Sequence, residues 1–139
     1  IQTLVRQAKL IVRNKIIVAI IEKPRDMEGV YLFQKLVKKD KGIFNLIEGE
    51  EAITIITSSE HLGKIKEMFP IKLIKYTEGL VQVALLFDKK IETTSGVVSY
   101  VYSLLSENGI NITEEMSCWT DIMIIIDEKD LAKAMSVLS

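Results

Sequence analysis

The hydrophobic and polar positions predict a strand followed by a helix, and this pattern occurs twice along the chain. Continuous apolar, β-branched runs at residues 16–21 and 81–87 are typical of buried strands. Behind each run comes a polar loop, followed by apolar residues three and four positions apart, as on the buried face of a helix. These helical positions are Val30, Phe33, Leu36 and Val37 in the first stretch, and Val97, Val101, Leu104 and Leu105 in the second.

The two helical stretches align with each other. "MEGVYLFQKLVKKDKGIFN" matches "TSGVVSYVYSLLSENGINI" with Gly29 on Gly96 and Gly42 on Gly109, an offset of 67 residues without a gap. Downstream, "ITIITSSEHLGK" matches "IMIIIDEKDLAK" at an offset of 69 residues. The matched glycines indicate an internal repeat. We expect Gly42 and Gly109 to take the left-handed conformation that ends a helix.

Each copy continues with a pair of strands and a second helix. The first copy adds one more strand, which gives the order β-α-β-β-α-β of the ferredoxin-like unit, with both helices on one face of an antiparallel sheet. The expected N-cap of the second helix is Ser58 or Ser59 in the first copy and Asp127 in the second. The predicted segments are strands 43–48 and 52–57, helix 60–69 and strand 71–77 in the first copy, and strands 111–119 and 121–126 and helix 128–138 in the second.

The predicted fold class is α+β, with two ferredoxin-like βαββαβ units side by side. The first unit is expected at residues 16–78 and the second at residues 79–139. The second unit ends after its last helix, so it lacks a fourth strand. "KLIVRN" at residues 9–14 is β-branched and partly alternating, and we expect it to cross over and complete the second sheet.

The N-terminal segment, residues 1–15, also allows a different interpretation. Apolar residues between positions 2 and 14 recur at helical spacing, so the segment could instead form one helix. The first residue is Ile1 rather than methionine, so this segment is expected to be the end of a longer upstream region.

Composition excludes several classes of partner. The formal net charge is −1 at pH 7, so nothing in the overall charge attracts nucleic acid or an acidic membrane. No apolar run approaches the roughly 20 residues of a membrane span, and we expect no signal peptide. The only cysteine, Cys118, cannot form an internal disulfide. These features favour a cytoplasmic protein.

The repeat resembles the ACT domain family. Its marks are the tandem units, the Gly-Val helix starts and "NGINI" after the second helix. The nearest likeness is to the paired ACT modules at the regulatory end of aspartokinases. The sequence also resembles uncharacterised ACT-containing proteins of bacteria and archaea through "MSCWTDIMIII". Some of those carry an upstream helical, DNA-binding-like segment, so any DNA binding is expected upstream of this region and not within it.

The likeness is stronger in the second copy than in the first. The family usually has proline before the Gly-Val step, where this chain has Ser95 and, in the first copy, Glu28. Phe44 stands in the first copy where Asn111 stands in the second. In aspartokinases the last strand of the second module comes from before the first module, which supports the crossover of residues 9–14. The resemblance implies regulation by a bound amino acid.

The start of the second helix is the predicted ligand site. Free N–H groups and a partial positive charge at a helix N-terminus stabilise a carboxylate, and glycine allows close approach. An α-amino acid would place its carboxylate on the N–H groups of residues 95–97 and its ammonium on the side chain of Asn111. The alternative is that Ser95 only caps the helix and Asn111 only closes a turn. The predicted site residues are Thr94, Ser95, Gly96, Val97, Asn111 and Ile112.

No catalytic set is visible, and no metal-ligand cluster or cofactor motif. His61 is expected to be solvated, Cys118 to be a buried and inert strand residue, and Trp119 to lie in the core or at a subunit interface. Glu114 and Glu115 adjoin on a strand and are expected to point to opposite faces. We therefore expect a regulatory binding module and not an enzyme. The alternative function is a purely structural pairing domain, and open sheet edges predict a homodimer in either case.

Overall fold

Five helices and six strands form the fold. The computed structural model describes all residues, Ile1–Ser139. A short 3-10 turn precedes each of the last three helices. In chain order the elements are α1 (Gln2–Gln7), β1 (Lys9–Glu22), α2 (Glu28–Lys39), β2 (Phe44–Glu48), β3 (Ala52–Ser58), α3 (Leu62–Met68), β4 (Leu73–Leu86), α4 (Val97–Glu107), β5 (Ile112–Cys118), β6 (Asp121–Asp127) and α5 (Leu131–Leu138).

The fold is mixed α/β with an antiparallel sheet of six strands, in the order β2-β3-β1-β4-β6-β5. The chain divides into two compact units. The first is Lys15–Gly79, and the second combines Ile1–Asn14 with Leu80–Ser139. The residues that begin and end the first unit, Lys15 and Gly79, both have positive φ, 54° and 70°. The separately predicted strands 71–77 and 81–87 are therefore one strand, β4, interrupted by a left-handed residue.

The first unit is built on the strand order β2-β3-β1-β4. Its β1 pairs with β3 from Ile16 opposite Ser58 to Glu22 opposite Ala52. Every second residue of a strand points to the same face. Accordingly, Ile17, Ala19 and Ile21 of β1 join the buried residues of α2 and α3 in one apolar cluster. Other members of this cluster are Val30, Phe33, Val37, Phe44, Ile53, Ile55, Leu62, Ile65 and Phe69.

The second unit has the strand order β1-β4-β6-β5, with residues 9–14 of β1 at one edge. The single-helix interpretation of residues 2–14 is wrong, because α1 stops at Gln7 and Ala8 is extended, with ψ 141°. Val5 of α1 is buried in the apolar core of this unit. The core also contains Val81, Val83, Leu85, Phe87, Val97, Val101, Leu105, Ile110, Ile122, Ile124, Ile126, Ala134 and Leu138.

The first helices of the two copies end in the same way, but at positions that the sequence alignment does not match. Gly109 ends α4 with φ 71°, as expected, and the N–H of Ile110 donates to the carbonyl of Leu105. At the end of α2 the left-handed residue is Lys41, with φ 57°, and not Gly42. Lys41 is thus the equivalent of Gly109, and the gapless alignment is wrong by one residue at this end.

Gly42 does not have a positive φ, and its role is to allow close packing against Val37 and His61. A Cβ atom on this residue would lie 3.0 Å from Cγ1 of Val37 and 3.1 Å from Nε2 of His61. Contacts that short are tighter than ordinary Cβ contacts, so Val37 or His61 would have to move by a few tenths of an ångström to admit a methyl group. The glycine therefore lets the end of α2 pack closely against the histidine side chain.

Two further expectations change with the structure, and one is confirmed. Leu36, predicted for the core, is 38% exposed on α2. The second helix of the first unit begins at Leu62 after a 3-10 turn, and Ser58 makes no side-chain cap bond there. In the second unit Asp127 does act as a cap, because its carboxylate accepts a hydrogen bond from the N–H of Lys129 at 3.0 Å. No helix combines the length and the apolar character that crossing a membrane requires.

Candidate ligand site at the start of helix α4

Helix α4 begins without a side-chain cap. Its N-cap residue is Gly96, in the left-handed conformation with φ 82° and ψ 7°. The carbonyl of Gly96 accepts the N–H of Tyr100 at 2.9 Å, but no side chain accepts from the first turn. The interpretation of Ser95 as the cap is therefore wrong. The first-turn N–H groups, with the partial positive charge of the helix, are left for another acceptor.

The loop before α4 is held by its own hydrogen bonds. A 3-10 turn, Lys89–Thr93, is capped by Asp88, whose carboxylate accepts the N–H of Lys90 at 3.0 Å. Thr94 then donates its hydroxyl to the carbonyl of Lys90 at 2.7 Å. This bond uses the hydroxyl proton of Thr94 and fixes the approach to Gly96. Two side-chain hydrogen bonds thus hold this loop from within.

A pocket of about 280 Å³ lies at the start of α4, and we call it the head pocket. Its walls come from the loop, from the first turn of α4 and from the β5–β6 hairpin. Apolar and polar groups are mixed, and the only charged residue in the lining is Asp121. The lining residues are Ile91, Thr94, Gly96, Val97, Val98, Ser99, Ser117, Trp119, Asp121 and Ile122.

Trp119 occupies an unusual position in the hairpin. It is the first residue of the two-residue turn between β5 and β6, and its φ is 52°. The residue is 69% exposed, so the predicted core position of Trp119 is wrong, and the alternative position at a subunit interface stays a prediction. Its indole N–H donates to the carboxylate of Glu92, and the ammonium of Lys89 lies 5.8 Å from the ring centroid. The ring is therefore held at the rim of the head pocket.

A second, larger depression of about 980 Å³ runs between α4 and the edge strand β5, and we call it the exit groove. Asn111 and Ile112 lie here and not in the head pocket. The two depressions share Val98 and Ser99 in the first turn of α4. Asn111 follows the other end of this helix, which is about 16 Å long from its 11 residues at 1.5 Å each. The groove is lined by Val98, Ser99, Tyr102, Ser103, Ser106, Ile110, Asn111, Ile112, Thr113, Glu114 and Glu115.

The structure thus divides the six predicted site residues. Thr94, Gly96 and Val97 line the head pocket, Asn111 and Ile112 line the exit groove, and Ser95 lines neither. Sequence reasoning missed Asp121 and Ser117. The signal was present, because a two-residue turn sets the first residue of β6 beside the end of β5, and this end of the hairpin lies at the start of the helix.

In the exit groove the phenol of Tyr102 is hydrogen-bonded to the carboxylate of Glu115. Partial burial, together with a hydrogen bond to Glu115 and the negative charges of Glu115 and Glu114, raises the pKa of Tyr102 to about 12. Ser117 also donates to Glu115 at 2.8 Å. Both glutamates contribute to the lining of this groove. The register shift of β5 lies before them, and they pair regularly with Ile125 and Ile124, so they point to opposite faces of the strand, as expected.

The two other candidate residues differ from expectation. The side chain of His61 is only 11% exposed, and its ring meets Phe33 edge-on at 6.3 Å. Its Nε2 atom is buried and has no hydrogen-bond partner, although a carboxylate oxygen of Glu60 lies 3.4 Å away. His61 therefore packs inside the first unit instead of being solvated. Cys118, expected to be buried, is exposed at the end of β5.

Comparisons with known proteins agree on a family region and on a fold. Residues 77–139 match the family model of the ACT domain. No curated protein sequence matches the chain. The structure is similar to aspartate kinase from Clostridium acetobutylicum, described as an allosteric enzyme, with a TM-score of 0.76 and 14% identity. That match covers 93% of this chain, which spans only 33% of the enzyme.

Two further structures are similar over almost their whole length. Aspartokinase alpha and beta subunits give a TM-score of 0.73 and 15% identity, covering 99% of this chain and 94% of that one. The ligand-free regulatory subunit of aspartate kinase from Thermus thermophilus gives 0.70 and 9% identity, covering 95% and 94%. The second part of the chain thus matches the ACT domain, and the fold is similar to that of aspartokinase regulatory subunits.

Proposed function

We propose that this chain is a regulatory module that binds a free α-amino acid in the head pocket and controls an attached or partner domain. The ACT domain match and the fold support the regulatory role. The site is supported by one observation above all. The uncapped first turn of α4 and Asp121 line the same pocket.

The two groups suit the two charges of an amino acid. The ligand carboxylate would accept hydrogen bonds from the N–H groups of Val98 and Ser99, where the helix dipole favours negative charge. The ligand ammonium would donate to Asp121, since a charge-assisted hydrogen bond of this kind is stronger than a neutral one. Asp121 then takes the part that the sequence assigned to Asn111, which lies at the other end of α4.

The first unit offers no equivalent site. The N–H of Glu28 donates to the carboxylate of Asp26 at 2.8 Å, and Glu28 adds a second negative charge to the first turn of α2. These groups already occupy the end of the helix that an anion would use. The proposal therefore has one binding unit, residues 79–139 completed by residues 9–14, and one structural unit, residues 16–78.

A purely structural pairing function is the second candidate, and the outer face of α2 favours it. Tyr31 is 50% exposed, Leu32 54% and Leu36 38%, so the helix presents apolar surface on its outer side. Such a patch is typical of an interface. Homodimerisation is compatible with both functions, and a reducing compartment such as the cytoplasm would keep the exposed thiol of Cys118 free.

Thermal shift against all twenty amino acids separates the two functions. A ligand that binds only the folded chain, at about 100 times its dissociation constant, adds about 2.7 kcal/mol to the free energy of unfolding. At least one amino acid should raise the melting temperature of the wild type, and Asp121→Asn should reduce that shift. If no amino acid raises it, the structural pairing function takes the place of the regulatory one.

A further inference from the structure

We infer that Trp119 forms a side-chain subsite in the head pocket, which selects an amino acid with a bulky apolar side chain. This inference rests on the proposed function, because it specifies the ligand of the same pocket. It is carried by the chemistry of the pocket wall and by the way in which the indole is held there.

The indole can offer only its apolar surface to a ligand. Trp119 lines the head pocket, and its single donor, the indole N–H, is already bonded to Glu92. Tryptophan has no other polar group. Recognition by this side chain must therefore come from the ring itself. Because the ammonium of Lys89 already lies 5.8 Å from the ring centroid, where a ligand cation would bind, contact area and stacking with a large apolar partner remain.

The rest of the wall also disfavours charged ligand side chains. No lysine or arginine lines the pocket, and Asp121 would repel an acidic side chain. A basic side chain would be repelled by a positive charge that is already near the ring. The ammonium of Lys89 is already 5.8 Å from the ring, and the carboxylate of Glu92 is engaged by the indole. A neutral side chain avoids both repulsions.

Apolar residues continue the wall beside the indole. Ile91, Val97 and Ile122 line the same pocket, and Val97 and Ile122 belong to the buried core. The volume of about 280 Å³ lies just below the usual range for drug-sized ligands, so the pocket suits a ligand of about one amino acid. Leucine, isoleucine, methionine and phenylalanine meet these conditions, whereas alanine leaves the apolar wall uncovered.

The chain provides its own probe, because Trp119 is its only tryptophan. Titration of the intrinsic fluorescence with leucine or phenylalanine should move the emission to shorter wavelength. Alanine should bind at least about tenfold more weakly, since each buried methylene adds to affinity. Threonine, lysine and aspartate should also bind more weakly than leucine.

The ring is best removed by Trp119→Gly, because glycine accepts the positive φ of this position. By calorimetry, this variant should bind leucine about tenfold more weakly and alanine with unchanged affinity. Lys41→Gly is the matched control, since it changes another residue of positive φ far along the chain, in the first unit. It should leave the affinity for leucine unchanged.

Three results would overturn the inference. In the first, alanine or a charged amino acid binds as tightly as leucine, so amino-acid binding stands but the apolar subsite does not. In the second, Trp119→Gly lowers the affinity for leucine and for alanine by the same factor, or changes neither affinity. In the third, no amino acid binds the wild type by calorimetry, so the proposed function fails with it.

Discussion

Gly96 and Asp121 line one pocket from two different elements, although 24 residues separate them in the sequence. Gly96 is the N-cap of α4, and its left-handed conformation begins a helix that no side chain caps. Asp121 is the first residue of β6. A partial positive charge and a full negative charge therefore meet in the same small space, which is the arrangement that a zwitterion requires.

Asp121→Asn should weaken amino-acid binding by about tenfold to a hundredfold, because a hydrogen bond to a charged group contributes roughly 1.5–3 kcal/mol. Isothermal calorimetry on the folded variant measures this change directly. Asn111→Ala is the matched comparison, because Asn111 lies in the exit groove, and its affinity should stay at the wild-type value. A larger loss in Asn111→Ala than in Asp121→Asn would return the ammonium site to the position that the sequence predicted.

Gly96→Ala should destabilise the chain, because φ at this position is 82° and a Cβ atom there costs about 1–2 kcal/mol. Gly63→Ala is the control. It lies within α3, where an added Cβ meets no atom within 4 Å, and alanine should stabilise the helix by about 0.5–1 kcal/mol. Urea unfolding of both variants measures the change in the free energy of unfolding, which should fall for Gly96→Ala and rise for Gly63→Ala. A neutral Gly96→Ala would show that the left-handed N-cap is not required.

Gly42→Ala should destabilise the first unit by about 1–3 kcal/mol, the usual cost of overpacking. The added methyl group would lie 3.1 Å from Nε2 of His61 and 3.0 Å from Val37. In the His61→Ala background the same substitution should cost less, since one of the two neighbours is gone. A double-mutant cycle in urea measures the coupling. Strict additivity would mean that His61 does not limit the space at Gly42.

Tyr102 should lose its proton only near pH 12, because burial and the carboxylate of Glu115 both oppose the phenolate. The unfolded chain releases this proton near its ordinary pKa of 10.0, so the folded chain binds more protons between pH 10 and 12. Folding stability should therefore fall through that window and be unaffected by this group below it. The difference in absorbance at high pH between the wild type and Tyr102→Phe isolates the transition.

Glu115→Gln tests whether the carboxylate of Glu115 raises the pKa of Tyr102. Removal of the carboxylate charge should bring the midpoint of Tyr102 back toward its ordinary value, although burial keeps part of the shift. An unchanged midpoint in Glu115→Gln would mean that burial alone holds the phenol proton.

Much of the fold is readable from hydrophobic periodicity, because burial decides which residues face inward. Val97, Val101 and Leu105 recur at helical spacing and are all buried. Helix ends are less readable, since several residue types can take the closing conformation. Lys41 adopts it at the end of α2, while packing against His61 accounts for the neighbouring glycine.

The candidate site was only partly readable for a different reason. The sequence marks the start of α4 through Gly96 and Val97, but the opposite wall comes from a hairpin more than twenty residues away. Asn111 is close to the helix in sequence, yet it follows the helix end and lies in another depression. Proximity along the chain misleads here, because a helix carries its two ends apart.

The most direct measurement of the central claim is a ¹H–¹⁵N NMR titration of the chain with leucine. If an amino acid binds in the head pocket, the amide signals of Gly96, Val97, Asp121 and Ile122 should shift, because these residues line the head pocket and not the exit groove. The signal of Asn111, beyond the far end of α4, should move little. Shifts confined to the exit groove, or no shifts at millimolar ligand, would contradict the account.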